Sequence, residues 1–252
     1  MNIKYDLLGR PLELKKTHDF CFCKEPEMTV VFLHGIASDS STFYNALKYL
    51  EGTRSLEKVR FVTFDLLGSG RSYKSKKIEY NYTQQVRALE NSIKKLNVTT
   101  PLIIVGHSLG CLIAVRYANI HRRTVAKLIL VSPPMFTPKD LDDPRFSEAM
   151  DGFRKAVSAK NPAILNDKAF NDSIEKIVKN RKNYQVLAEL PVPTVLIYGD
   201  QDEIIASYNI PRIMKENSNL SVIKTIGRHK FSHEKYNKIR EILEEELNAK
   251  NL

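Results

Sequence analysis

The sequence predicts an α/β fold, a mostly parallel sheet flanked by helices, with a helical cap inserted before the strand at about 193–199. Three observations point there. Short apolar runs rich in β-branched residues recur along the chain without the alternation of a half-exposed strand, as strands buried on both faces of a parallel sheet require. Segments with helical spacing lie between them, so helices cover both faces. One interval, Pro133 to Pro191, holds helical patterns and no strand.

In chain order, the strand runs are MTVVFLHG (Met28 to Gly35), VRFVTFD (Val59 to Asp65), PLIIVGH (Pro101 to His107), AKLILVS (Ala126 to Ser132) and PTVLIYGD (Pro193 to Asp200). LSVIKTIG (Leu220 to Gly227) is a weaker sixth, and Cys21-Phe22-Cys23 alternates like a strand. Helical patterns cover Ser41 to Leu50, Tyr82 to Leu96, Leu109 to Ile120, Tyr208 to Glu216 and Glu234 to Asn248. The strandless interval is too long for an ordinary connection. It contains FSEAMDGFRKAVS and KAFNDSIEKIVKNRK, and reads as a cap over 135–191 between core segments 1–134 and 192–252. Its apolar residues Met135, Phe136, Phe146, Met150, Phe153, Phe170, Ile174 and Ile177 either roof a pocket or pack on the body; for any one of them, packing is the default.

The 252 residues, 42% of them hydrophobic, are enough for a sizeable core. No apolar run spans a bilayer, and the first sixteen residues lack the charged-then-apolar layout of a signal peptide, so the expected compartment is the cytoplasm. Three cysteines, an odd count, do not make a disulfide framework, and CFC is too sparse for zinc. The net charge is +10, but Lys and Arg are scattered among acids, and the densest cluster is the short YKSKK from Tyr73 to Lys77. That is a solvated surface rather than a nucleic-acid footprint, so neither nucleic acid nor membrane is an expected partner; attraction to anionic substrates stays open. The oligomeric state is not legible.

Chemistry concentrates at Gly106-His107-Ser108-Leu109-Gly110, between an apolar run and a helical pattern. A sharp strand-to-helix turn holds a serine in a strained conformation, and glycines two residues either side avoid Cβ clashes. The helix start also presents unpaired N–H groups and a positive dipole end, both favourable to developing negative charge. On these residues the chain resembles the α/β-hydrolase superfamily over nearly its whole length, as a serine esterase- or lipase-like member with a small cap.

A serine nucleophile needs a base, and the base an orienting acid. Of six histidines, His34 ends a strand, His107 lies in the elbow and is expected to turn away from Ser108, His18 precedes the main sheet and His121 ends a helix; His229 and His233 remain. The resemblance implies a base after the last strand and just past a glycine. That is His229 in Gly227-Arg228-His229, with His233 the alternative; the family commonly reads Gly-His directly. Their i, i+4 spacing lacks the Glu of a zinc helix, since Lys230 follows His229. The family's Gly-x-x-Asp after the preceding strand implies Asp202 as the acid, over Asp200. Ser108, Asp202 and His229 follow the family's chain order.

The resemblance also implies an oxyanion hole from the backbone N–H groups of Leu109 and Ile36. FDLLGSGRS keeps the family's Asp-x-x-Gly-x-Gly-x-Ser as Asp65, Gly68, Gly70 and Ser72, a structural turn at the pocket rim. The implied activity is hydrolysis of a small-molecule carboxylic ester of small or medium acyl group, through an acyl-enzyme and without cofactor or metal. Thioesters, lactones, activated amides, carbon–carbon bonds and acyl transfer are alternatives on the same triad. Dehalogenase and epoxide-hydrolase chemistry is disfavoured, because those relatives carry Asp at the elbow. The other class is a non-catalytic ligand-binding protein on this fold.

Overall fold

A computed structural model of the protein describes residues 11–249. The first ten residues, part of the stretch read for a leader and of the 1–134 segment, lie outside the described residues, as do the last three.

Among the described residues, seven strands form one sheet in the order β1-β3-β2-β4-β5-β6-β7. They are β1 (Lys15–Phe20), β2 (Met28–Leu33), β3 (Val59–Asp65), β4 (Leu102–His107), β5 (Val125–Val131), β6 (Thr194–Gly199) and β7 (Leu220–Thr225). Every neighbouring pair is parallel except β1–β3, which is antiparallel. The connecting helices are α1 (Tyr44–Glu51), α2 (Tyr82–Lys95), α3 (Leu109–Ile120), α8 (Ile210–Glu216) and α9 (His233–Asn248). Between β5 and β6 lie only helices: α4 (Pro138–Asp142), α5 (Pro144–Ser158), α6 (Lys168–Asp172) and α7 (Asn183–Ala188), with a π-helical stretch over Ser173–Val178.

Alternate strand residues feed two cores. Val30, Phe32, Ile103, Val105, Ile129 and Val131 pack under α1 and α9 with Leu47, Leu50, Ile239 and Leu243. Val31, Leu33, Ile104, Leu128 and Leu130 pack under α2 and α3 with Leu89, Ile113 and Ala114. Strands buried on both faces have no polar side, which is why they read as continuous apolar runs. Each such Val, Leu or Ile contributes about 1.5–3 kcal/mol when fully buried.

Two expectations are corrected at the N-terminal edge. The strand is Lys15–Phe20, and Cys21 to Cys23 lie beyond it. The ladder with β3 runs only from Lys15↔Asp65 to Phe20↔Phe61. Past it the Cys23 N–H turns to Cys21 Sγ, 3.3 Å, and Cys21 Sγ reaches the Glu57 carbonyl, so the backbone curls instead of pairing. His18 therefore sits on the sheet's edge strand, bonded to Glu51, rather than ahead of the sheet.

The strand order places the site. The chain steps from β2 to β3 on one side, then returns to β4 on the other, so β2 and β4 are neighbours whose connections leave in opposite directions. A crevice opens at such a switch point, outside the carboxyl ends of the strands. Leu33 pairs with Gly106, which brings the segments after β2 and β4 side by side. Among the described residues no helix is long and apolar enough to cross a membrane.

Candidate active site

Ser108 stands between β4 and α3 at φ 52° and ψ −115°, a left-handed backbone for a residue with a Cβ. Such strain costs about 1–3 kcal/mol and persists only where the surroundings impose it. They do: the Ser108 N–H donates to the Val131 carbonyl (3.0 Å), and its own carbonyl accepts from the Cys111 N–H (3.0 Å). The flanking glycines are obligatory. A Cβ on Gly106 would lie 2.6 Å from the Cys111 nitrogen, and one on Gly110 2.1 Å from the Leu33 carbonyl oxygen. Ser108 is largely buried, and its hydroxyl has no hydrogen bond among the described residues.

On the β2 side, a Cβ on Gly35 would stand 3.2 Å from Ser108 Cβ, so the backbone runs close past the serine. Buried His34 fixes this turn. Its Nε2 accepts from the Leu66 N–H (3.0 Å), so its Nδ1–H donates to the Gly35 carbonyl (2.8 Å). That bond holds the peptide plane joining Gly35 to Ile36, and with it the direction of the Ile36 N–H. Burial, outweighing the pull of the Gly35 carbonyl and of Asp65, lowers the His34 pKa and keeps the ring neutral. Ala37 follows at φ 55°. The Ile36 N–H meets no acceptor among the described residues, and the Leu109 N–H, opening α3, has no intrahelical one. Both residues line a cleft of about 170 Å³ closed by Gly68, Ser69, Ile164 and Phe170.

The rim turn is built as its sequence implies. Asp65 accepts from the N–H groups of Ser40 (2.9 Å) and Arg71 (2.8 Å), and a Cβ on Gly70 would strike its carboxylate at 2.2 Å.

His229 and Asp202 come together from the loops after β7 and β6. His229 Nδ1 lies 3.0 Å from Asp202 Oδ1 and 3.1 Å from Oδ2. The Asp202 side chain is fully buried, whereas His229 keeps 18% of its side-chain exposure. Burial pushes the Asp202 pKa up, but the bond and charge of His229, the Ser132 hydroxyl and the Ile204 N–H outweigh it and hold the carboxyl below 3.8. Asp200 serves the turn, accepting from the Gly227 N–H (2.9 Å). His233 is exposed and packs edge-on against Tyr49 and Tyr236, so the structure joins His229, not His233, to Asp202.

Three contributors escaped the sequence reading. The His107 ring, expected to turn away from Ser108, lies beneath the His229 loop. It sits 5.2 Å from the His229 ring, and its Nε2–H donates to the His229 carbonyl (2.9 Å). Burial above all, then the charge of His229, pushes its pKa down to about 3. Ser132, at φ 53° after β5, and Lys235, in the first turn of α9, complete the support. Only Lys235 left a signal: 235, 239, 242 and 243 share the buried stripe of α9, which marks a lysine facing inward.

A larger groove of about 740 Å³ opens beside the acid loop. Phe136, Phe146, Met150 and Phe153 of the inserted segment line it, facing Ile204 and Ile205. Phe146 and Met150 also belong to the core, with Met135, Phe170, Ile174 and Ile177. Of the segment's basic residues, Lys139, Arg145, Lys155 and Lys160 are exposed, and Arg154 bonds Asn171 and Glu175.

The model of the α/β hydrolase fold matches residues 29–172. Probable lysophospholipase BODYGUARD 5 of Arabidopsis thaliana is 33% identical over 135 residues, 53% of this chain and 30% of its own length. The chain thus spans about a third of that curated relative. Lipase 3 of Moraxella sp. (strain TA144) is 24% identical over 80% of this chain and 72% of its own. A carboxylesterase structure from the thaumarchaeon Nitrososphaera gargenis superposes with a TM-score of 0.70 at 18% identity, covering 96% of this chain and 97% of its own.

Proposed function

The chain belongs to the α/β hydrolase fold family, and from that premise we propose that it is a serine hydrolase cleaving carboxylic esters of small or medium acyl groups through an acyl-enzyme. The observation that carries this reading is the His229–Asp202 pair, 3.0 Å apart, at the same end of the sheet as the strained Ser108.

Asp202 occupies His229 Nδ1, which leaves Nε2 to accept the serine proton. Ser108 Oγ adds to the ester carbonyl, and the proton passes to Nε2. The negative oxygen of the tetrahedral intermediate takes the N–H groups of Ile36 and Leu109. Collapse expels the alcohol, which receives the proton from His229. Water then adds to the acyl-Ser108 ester by the same route, releasing the acid and restoring the hydroxyl. Asp202 stays ionised, holds the imidazole and stabilises its charged form. The loosely held Ser108 hydroxyl fits a resting site that tightens only around substrate.

The small cleft beside Ile36 and Leu109 suits a short acyl group, with the larger groove beyond Ile204 left for the alcohol. The inserted segment acts as the cap. Three free cysteines fit a reducing compartment, the cytoplasm.

Hydrolysis of p-nitrophenyl esters from two to sixteen carbons by wild type and Ser108→Ala tests the reading. Turnover of short esters that falls by orders of magnitude in the alanine variant supports it. Equal rates in the two proteins, or a clear preference for long chains, would overturn it.

A further inference from the structure

Lys235 is a charged residue with no exposed surface. Its Nζ donates to Ser132 Oγ at 2.9 Å, to the Arg228 carbonyl at 2.6 Å and to the Lys230 carbonyl at 3.0 Å. An ammonium has three protons, and here each has an acceptor. Arg228 and Lys230 flank His229, whose own carbonyl takes the His107 Nε2–H at 2.9 Å. Three consecutive carbonyls of the His229 loop are therefore held by two buried side chains. Lys235 brings a positive charge to that cage, and His107 is the neighbour of Ser108 in sequence.

The second path runs through Ser132. Its oxygen accepts from Lys235, so its hydroxyl proton is free to turn to Asp202, whose carboxylate it helps to keep ionised. One ammonium thus touches the supports of both partners in the 3.0 Å His229–Asp202 contact. Stability alone does not explain a lysine here. Burying an ammonium is costly, and here it is offset by hydrogen bonds to neutral oxygens. The positive end of α9 adds repulsion in its first turn. Burial lowers the Lys235 pKa against the opposing pull of Asp202, Cys111 and Glu234.

We propose that Lys235 is a positioning residue for the ester hydrolysis inferred above: its buried ammonium fixes the loop that carries His229 and, through Ser132, orients Asp202. The inference rests on the serine-hydrolase reading, and its test separates the two.

Wild type, Lys235→Met and Ser132→Ala are compared for kcat, KM, the pH profile of kcat/KM and melting temperature. Misplacement of a base by about 1 Å costs on the order of a hundredfold in rate. Lys235→Met is therefore expected to lose roughly ten- to a hundredfold in kcat, with KM within about threefold and a lowered melting temperature, because Ser132 and the Arg228 and Lys230 carbonyls lose their donor. The acid limb of its profile is expected at higher pH, because a positive charge facing Asp202, Cys111, Glu234 and His107 has gone. Ser132→Ala is expected to lower kcat in the same sense by a smaller factor. A Lys235→Met enzyme with wild-type kcat and an unmoved acid limb would overturn the proposal. If that variant does not fold, an unchanged kcat in Ser132→Ala overturns it instead. A wild type without esterase activity would overturn the hydrolase reading, and this inference with it.

Discussion

His229 Nδ1 is shared almost equally between the two oxygens of Asp202, at 3.0 and 3.1 Å. The carboxylate is wholly buried and its pKa is held below 3.8, so it remains an anion throughout the neutral range. One edge of the imidazole is thereby committed, and Nε2 lies on the edge away from Asp202. Asp202→Asn keeps the shape but offers an amide where an acceptor is required. Its kcat is expected to fall by about 10³–10⁴-fold with folding intact. Steady-state kinetics beside a melting curve check this; a loss below tenfold would contradict it.

Gly35 and Gly152 make a contrasting pair. A Cβ at Gly35 would sit 3.2 Å from Ser108 Cβ and 3.3 Å from His107 Nδ1. Gly35→Ala is therefore expected to shift the serine and lower kcat by roughly ten- to a hundredfold. A Cβ at Gly152, within α5, would meet nothing within 4 Å. Gly152→Ala is expected to stabilise the protein by about 0.5–1 kcal/mol. Urea denaturation and turnover of the two variants check both signs.

His107 gives stability a pH dependence. Its folded pKa is depressed from 6.5 to about 3 by burial and then by the charge of His229. The stability it contributes is present above pH 6.5 and is lost as pH falls from there toward 3. One such proton corresponds to a slope of about 1.4 kcal/mol per pH unit. His34, lowered in the same direction, adds to it. His107→Gln is expected to remove about one proton's worth of slope between pH 6 and 4.5 in denaturation experiments. An unchanged slope would show that His107 titrates normally in the folded state.

Ile164 closes the small cleft from the inserted segment and is only half-buried. Ile164→Ala lengthens that space with modest loss of packing. The optimum acyl chain in a p-nitrophenyl ester series is expected to move up by about two carbons, at roughly 0.8 kcal/mol per methylene buried. No movement would place the acyl group elsewhere, most directly in the Phe146–Ile204 groove.

What the sequence disclosed was whatever local chemistry dictates. The runs ending at Leu33, Asp65, His107 and Gly199 had to be largely apolar because each strand is covered on both faces, and the elbow glycines had to be small because Cys111 and Leu33 stand against them. Ser108 was marked by its glycine-flanked turn, whereas Asp202 and His229 were expected only through the resemblance to α/β hydrolases, and the structure joins those two. Strand β1 was missed because KKTHDF is polar, and an edge strand needs only one ladder and one covered face. The carbonyl cage was missed because it joins His107 to His229 across 122 residues and Lys235 to Ser132 across 103. No local pattern records such distances.

The most direct measurement is intact-mass analysis of the protein after exposure to a fluorophosphonate, with the adduct located by peptide mapping. Wild type is expected to gain a single adduct on Ser108, and Ser108→Ala none. Absence of an adduct on wild type, or an equal adduct on the alanine variant, would contradict a nucleophilic Ser108 served by His229 and Asp202.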